Sequence, residues 1–426
     1  MAVHFGERGT HALDHRLVVA GDIQHRPHRA IRNKVDFGSP LPLPTVLSMP
    51  LFDDIPRPDT DVPDQHEAAF AYLNRSGRPK AARVRQLIED WLAHYPAYDR
   101  DALIARLRST IDDQHRSAFF ELFVHELLLA RGHRILEIEP KLPHTPKSPD
   151  FLVQAKEGHR LYLECVLATG RSQQEAAAQA RLNQALTALD RTSSPRHFLD
   201  LTVHGVPTAP ISIKAMTKAL RAWIAGLPDD DSATDAAPFQ HQEHGATISL
   251  RAFPRRHPER ARRAIGARFF PARQVTVDDD VRGALEKKAS RYGALDQPYV
   301  VAINALAMFA REDAAIDALL GSPCTVVEQT ANGFTHRESR NPDGVWCGPS
   351  GARRKRLSAV LSTEGVDPWN FAVRRGRLIR NPWATAPVLS FDLGVDDFQP
   401  EEGRYRIIAG QSMGEIFDLP DGWPEA

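Results

Sequence analysis

At 426 residues, the chain is longer than one ordinary hydrophobic core organises, so two or three domains are expected. Hydrophobic residues at 42% and charged residues at 25% match a globular protein and exclude the fibrous and low-complexity classes. Its 54 basic and 54 acidic side chains cancel, which excludes a chain-wide basic field; any grip on a polyanion must come from local segregation of charge.

Residues 1–64 are rich in Pro, His and Arg, with LPLPTVLSMP and DDIPRPDTDVPD, and hold no period of 2 or 3.6. They read as a disordered segment, and the early histidines (His4, His11, His15, His25, His28) as part of a solvated tail. From 65 to 112 the pattern is a helical lead-in. Val84, Leu87, Ile88, Trp91 and Leu92 fall on one stripe, Pro96 stops that helix, and Leu103, Leu107 and Ile111 are in phase on the next.

A helix is expected from about His115 to Arg131, ended by Gly132. Phe120, Phe123, Val124, Leu127 and Leu128 form its apolar face. Glu121 lies at the edge of that face with His125 one turn on; Glu126 lies nearly opposite and should be solvated. Three strands follow: HRILEIEP, PDFLVQA and RLYLECVLA, the last two separated by the Glu157-Gly158 turn. Alternation groups Asp150, Leu152 and Gln154 on one side of theirs, and Tyr162, Glu164 and Val166 on one side of the next. Cys165 then points away from Glu164, into a core. SQQEAAAQARLNQALTALD is a helix and RHFLDLTVHG a fourth strand, so the order through 204 is α-β-β-β-α-β.

Residues 113–226 make one unit by this reading, closed by the helix SIKAMTKALRAWIAGL. An acidic linker follows at 227–238, then a mixed α/β C-terminal domain at 239–426. In the latter, VRGALEKKASRYG is a helix, QPYVVAINAL a buried strand and REDAAIDALLG a helix. Beyond Gly321 the pattern is strand-like and full of turns. Cys165, Cys324 and Cys347 are odd in number and far apart, so they make no disulfide framework or zinc spacing and point to a reducing cytoplasm. No apolar run reaches the ~18 residues of a membrane span, and no secretory-type stretch opens the chain.

Chemistry concentrates at Asp150 and Glu164. Hard divalent cations are held by one or two carboxylates plus water and substrate phosphate. Adjacent strands lie about 4.8 Å apart, so one carboxylate on each of two neighbouring strands can converge on one ion. Glu121, from the preceding helix, is placed to add a third oxygen. Glu164 inside LYLECVL is also a carboxylate among apolar neighbours, which is costly without a partner.

PD followed by E-x-hydrophobic, behind FFELFVHELLLARGH, resembles the PD-(D/E)XK nuclease superfamily over about residues 115–205. The element order is that superfamily's common core, and Phe120-Glu121 is similar to the acidic start of the first helix in restriction endonucleases and Holliday-junction resolvases. The resemblance implies a restriction-endonuclease-like α/β fold. It also implies Asp150 and Glu164 as ligands of Mg²⁺ or Mn²⁺, Glu121 as an auxiliary catalytic acid, and hydrolysis of nucleic acid, DNA before RNA. The chain departs from the pattern at its lysine: E-x-K reads Glu164-Cys165-Val166. Some members carry the basic or amide group on the next helix, where Arg171, Gln173, Gln174 and Arg181 are candidates here, and Lys156 on the neighbouring strand is a further one. Lys288 is another, on a helix that also bears Lys287, leads through Tyr292 and runs by a short turn into the strand ending at Asn304. Without a replacement, the core would be a catalytically inactive module that binds nucleic acid or a protein.

Basic stretches are the other signal. Residues 251–275 hold eight arginines against one glutamate, Glu259, and ARRKR (352–356) and RRGRLIR (374–380) follow. Such runs suit a phosphate backbone or a solvated face. Phe269, Phe270, Trp369 and Trp383 are placed to stack on bases or to fill a core.

Overall fold

The structure, a computed structural model, describes residues 17–18, 50–64, 67–169, 173–255, 265–269, 277–306, 314–330, 333–401 and 404–425. The chain is mixed α/β. It begins with a two-residue strand, β1 (Leu17–Val18), and four helices: α1 (Ala69–Arg75), α2 (Pro79–His94), α3 (Ala97–Leu107) and α4 (Asp112–Ala130). Strands β2 (Arg134–Ile138), β3 (Phe151–Gln154) and β4 (Arg160–Ala168) follow as an antiparallel meander. Then come α5 (Gln173–Asp190), β5 (His197–His204), α6 (Ile213–Ala225), β6 (Phe239–Glu243), β7 (Ala246–Pro254) and β8 (Ile265–Phe269). The remainder is α7 (Val277–Ala289), β9 (Tyr299–Ala305), α8 (Ala314–Leu320), the hairpin β10 (Pro323–Thr330) and β11 (Gly333–Arg340), the short pair β12 (Cys347–Gly348) and β13 (Gly351–Ala352), β14 (Leu357–Glu364), β15 (Arg377–Arg380), β16 (Asp396–Glu401), β17 (Arg404–Ile408) and α9 (Met413–Ile416).

One sheet of nine strands runs β1-β17-β16-β15-β14-β9-β4-β3-β2. Its centre, β4-β9-β14, is parallel. A parallel strand is covered on both faces and reads as a continuous apolar run, which is how YVVAINA reads; all seven residues of β9 are buried. Side chains along these strands alternate between two cores. Leu161 and Leu163 of β4 join Phe151, Val153, Val300, Ala302 and the helices α2–α4 on one face. Tyr162 joins Tyr299, Val301, Ile303 and residues of α7 and α8 on the other.

Several expectations are corrected here. The fourth strand of the sequence reading, β5, does not adjoin β4. It belongs to a separate four-stranded sheet, β6-β7-β5-β8, with its own core built on α5 and α6. The place beside β4 is taken by β9, 131 residues after the end of β4 (299 − 168). The region 239–426 is therefore no separate domain, because β9 and β14–β17 extend the sheet that β2–β4 begin. The acidic stretch 227–238 is no linker either: a 3₁₀ turn at Asp231–Asp235 is capped by Asp230 and buries Ala233. Nor is the whole of 1–64 disordered. Residues 50–64 lack regular structure, yet Leu51 is fully buried and the Phe52 ring stacks on Phe70 at 5.7 Å. Their main chain is held by side chains of the helices, with Phe52 N–H donating to Glu89 (3.0 Å) and Asp53 N–H to Asn74 (3.0 Å).

Helix α4 is buried almost all round, every residue from Ala118 to Leu128 included. Sheet lies on one side and the lead-in helices on the other, so the single-stripe reading fails. Glu126 is enclosed rather than solvated, its two oxygens bonded to His94 Nδ1 and His125 Nδ1, each at 2.8 Å. Trp369 packs on Tyr72 and Trp383 against the second core, so both do packing work. Among the described residues, no helix is long and apolar enough to cross a membrane.

Candidate active site

The β3–β4 ladder pairs Phe151 with Leu163 and Leu152 with Tyr162. Carried one residue further, the same register sets Asp150 opposite Glu164. Facing residues on an antiparallel pair have Cβ atoms about 4.5–5.5 Å apart. The alternation that sends Leu163 to the α4 face sends Glu164 to the α7 face with Tyr162. Cys165 packs against the α4-side core, as expected.

Strand β3 begins only at Phe151. The Cys165 N–H, which points toward that side, has no ladder partner there, and the Asp150 carboxylate takes its place: Cys165 N donates to Asp150 Oδ2 at 2.5 Å. Asp150 is half-buried as a residue. Burial, then the charges of Glu164 and Glu121, push its carboxyl well above the ordinary range, against the opposing pull of the Cys165 N–H and Lys288. The same surroundings, burial first, raise the Cys165 thiol, so it stays protonated.

Glu164 is 2% exposed and carries three donors. Lys288 Nζ bonds Oε1, Arg291 Nη1 stands 3.4 Å from the same oxygen, and the Tyr292 hydroxyl bonds Oε2. Tyr292 OH is also 2.8 Å from the Ser148 carbonyl. A phenol has one proton, so it donates to one of these acceptors at a time. Burial and the Glu164 charge keep that phenol protonated far above its ordinary range. All three donors come from the end of α7 and the turn after it, as a helix running into a neighbouring parallel strand places them.

Glu121 is met by other partners. Arg106 grips it with two parallel bonds, Nη1 to Oε2 (2.6 Å) and Nη2 to Oε1 (2.8 Å), and Tyr95 OH donates to Oε1 (2.9 Å). Such forked pairing is strong and fixes orientation. The structure thus brings the charges of Glu164 and Glu121 to bear on Asp150, with the Glu121 oxygens already occupied.

No family model, curated protein or solved structure matches the chain.

Of the basic groups the sequence offered, Lys288 reaches Glu164. Arg171 lies outside the described residues, as does the Gln173 side chain. Gln174 and Lys156 are exposed, and the Arg181 guanidinium bonds the Pro207 carbonyl at 3.0 and 3.1 Å. Asn304 is a structural residue: its amide bridges the N–H and C=O of Val366 (3.0 and 2.8 Å). Most of the arginine-rich stretch 251–275 also lies outside the described residues. In RRGRLIR, Arg375 pairs with Asp396, Arg377 with Glu364 and Arg380 with Asp397, so that run serves the sheet. Arg106, Tyr95 and Arg291 were not foreseen. Arg106 sits in an ordinary amphipathic pattern, ALIARL, and nothing local marks it.

Among the described residues, no group of three or more His, Cys, Asp or Glu side chains has the geometry of a metal site. What stands there is a carboxylate pair, with Asp150 Oδ1 accepting no hydrogen bond from the described residues and Glu164 compensated by cations.

Proposed function

We propose that the chain is a metal-dependent phosphodiesterase acting on nucleic acid, DNA in the first instance, on a restriction-endonuclease-like core. The observation that carries this reading is the Lys288–Glu164 pair. If residues 173–276 are taken as an insertion, α4-β2-β3-β4-α7-β9 has the order helix, three strands, helix, strand. Lys288 then occupies the helix to which the missing motif lysine can migrate. Residues on the two sides of that stretch, Glu164 and the Lys288, Arg291 and Tyr292 donors, then meet at one of the two carboxylates that the resemblance implies.

The side chains fit one hard divalent ion, Mg²⁺ or Mn²⁺. Asp150 Oδ1 accepts no hydrogen bond from the described residues, and an ionised carboxylate offers about four lone-pair sites, so Glu164 keeps capacity beyond its three donors. Burial, and after it the charges of Glu164 and Glu121, raise the Asp150 carboxyl, and a cation beside it relieves the charge part of that shift. Bound there, such an ion supplies a nucleophilic hydroxide at neutral pH and offsets phosphorane charge. The protein's own groups do the rest. Asp150 and Glu164 hold their places through the Cys165 N–H and the Tyr292 hydroxyl. Lys288, as a cation beside Glu164, orients the attacking water and compensates charge. Arg291, whose side chain is 37% exposed, faces the entering phosphate.

One feature favours the rival reading, a non-catalytic binding module: Lys288 and Arg291 already neutralise Glu164 without any metal. Titration calorimetry with Mn²⁺ and a cleavage assay with Mn²⁺ on duplex and single-stranded DNA and RNA separate the two. The enzyme reading expects heat and cleavage from the wild type and neither from Asp150→Ala. It fails if wild-type protein binds Mn²⁺ no better than the variant and cuts nothing.

A further inference from the structure

The exposed turn Arg354-Lys355-Arg356 has a backbone more tightly determined than a solvated loop needs. Arg354 is a non-glycine residue at φ +51°, in the left-handed region that side chains other than Asn and Asp seldom adopt. The turn closes with Leu357 N–H on the Arg354 carbonyl (3.0 Å). Thr385 donates to the Lys355 carbonyl from both its N–H (2.8 Å) and its hydroxyl (3.2 Å). Arg353, just before, is clamped on the Gly344 carbonyl (2.9 and 2.7 Å) and on Glu286 of α7 (2.9 Å).

The three side chains that follow are treated in the opposite way. Arg354, Lys355 and Arg356 are all exposed, and among the described residues none makes a side-chain hydrogen bond or ion pair. The nearby acids are engaged: Glu286 with Arg353, and Asp296 with the Tyr162 hydroxyl at 3.1 Å. The turn feeds β14, whose Leu357 pairs with Tyr299 at the start of β9. It therefore lies at the end of the sheet where the α7–β9 connection carries Arg291 and Tyr292. Glu286, held by Arg353, is two residues from Lys288 on the same helix, and exposed Lys287 lies between them.

We infer that Arg354, Lys355 and Arg356 contact the phosphate backbone of a nucleic-acid duplex that continues past the proposed Asp150–Glu164 site over the last turn of α7. Three cations in succession on a rigid turn, at the end of the sheet where the α7–β9 connection carries Arg291, fit a ligand of repeated negative charge. Their grip adds affinity without base readout. This inference rests on the proposed phosphodiester substrate and extends it outside the reacting centre.

The test is fluorescence anisotropy of a labelled 20-bp DNA duplex, and of the RNA duplex of the same sequence, over a salt series. The full chain carries Asp150→Asn so that it binds without cutting. In that background, R354Q/K355Q/R356Q should weaken binding and flatten the log K against log salt slope by about 0.9 for each DNA phosphate no longer neutralised. An equal charge change on exposed Lys214, Lys218 and Arg221 of α6 should leave the slope unaltered. An effect confined to the RNA duplex supports the inference and moves the substrate to RNA. Identical slopes for the two triple variants overturn it, while cleavage by wild type would leave the proposed function standing. Absence of binding and of cleavage on both duplexes overturns both.

Discussion

Lys288 and Glu164 are 124 residues apart in the chain and share a part-buried ion pair, the lysine side chain 18% exposed and the glutamate side chain 2%. A carboxylate on a central strand is costly to bury alone, and here the compensating charge arrives on the helix that leads into the next parallel strand. The pair ties α7, β4 and β9 into one unit around Asp150.

The first prediction concerns that ammonium. Lys288→Ala should lower single-turnover cleavage with Mn²⁺ by about 100-fold or more, the range for loss of a charge-stabilising or proton-managing group. Lys288→Arg should recover part of it. The alanine variant should also lose about 1–3 kcal/mol in urea unfolding, since a charged hydrogen bond to a buried group is removed. A variant that loses stability but cuts at the wild-type rate would assign Lys288 to the fold alone.

Asp150 gives a prediction in pH. Its folded-state pKa is raised, chiefly by burial and then by Glu164 and Glu121. The folded protein thus keeps a proton that the unfolded chain releases at lower pH. The contribution is fully present below the ordinary carboxylate pKa and is lost as pH rises through the raised value. In chelator, Asp150→Asn should match wild type in acid and exceed it in melting temperature at neutral and alkaline pH. On the proposed reading Mn²⁺ displaces the same proton, so its affinity for wild type should tighten with rising pH. Calorimetry in two buffers of different ionisation enthalpy measures the proton released.

Glu121 separates support from chemistry. Arg106→Ala leaves a buried carboxylate with Tyr95 as its remaining partner and should cost about 1–3 kcal/mol; Arg106 is 42% exposed along its side chain, which keeps the cost below that of a fully buried pair. Adding Glu121→Gln should restore much of the loss, a coupling that a double-mutant cycle reads directly. Glu121→Gln alone should still cut, with its pH–rate profile displaced toward acid because one of the charges raising Asp150 is gone. Loss of cleavage at every pH would instead make Glu121 the auxiliary acid that the resemblance implies.

These roles were unevenly legible in the sequence. Asp150, Glu164 and the meander they ride on could be read because strand alternation and a tight Glu157-Gly158 turn are local signals. The partner strand could not. QPYVVAINAL reads as a buried strand, but nothing in it says that it lies beside β4 while RHFLDLTVHG, closer in sequence, leaves for another sheet. Adjacency across an insertion is decided by which apolar faces remain uncovered, a property of the assembled cores. The same holds for Glu126, whose phase on an isolated helix points outward. Packing of α2 against α4 brings His94 over it and closes the outer side. Lys288 stood between these cases: its stretch was conspicuous, its target was not.

Tyr292 supplies the last prediction. Its hydroxyl is within bonding reach of both Glu164 and the carbonyl of Ser148, two residues before Asp150, and its one proton serves one of them at a time. The ring is fixed edge-on to Tyr299, with centroids 5.7 Å apart, so removal of the oxygen alone should leave the packing intact. Tyr292→Phe should therefore cost only about 0.5–1.5 kcal/mol in stability. Its larger effect should fall on the site. With one tether gone, the two carboxylates hold their relative position less well, and misplacement of ligands near 1 Å is enough to cost about 100-fold in rate. Affinity for Mn²⁺ by calorimetry and cleavage rate at saturating Mn²⁺ should both fall, while duplex binding in the Asp150→Asn background stays unchanged. Wild-type Mn²⁺ affinity and rate in Tyr292→Phe would show that the hydroxyl only satisfies the Ser148 carbonyl.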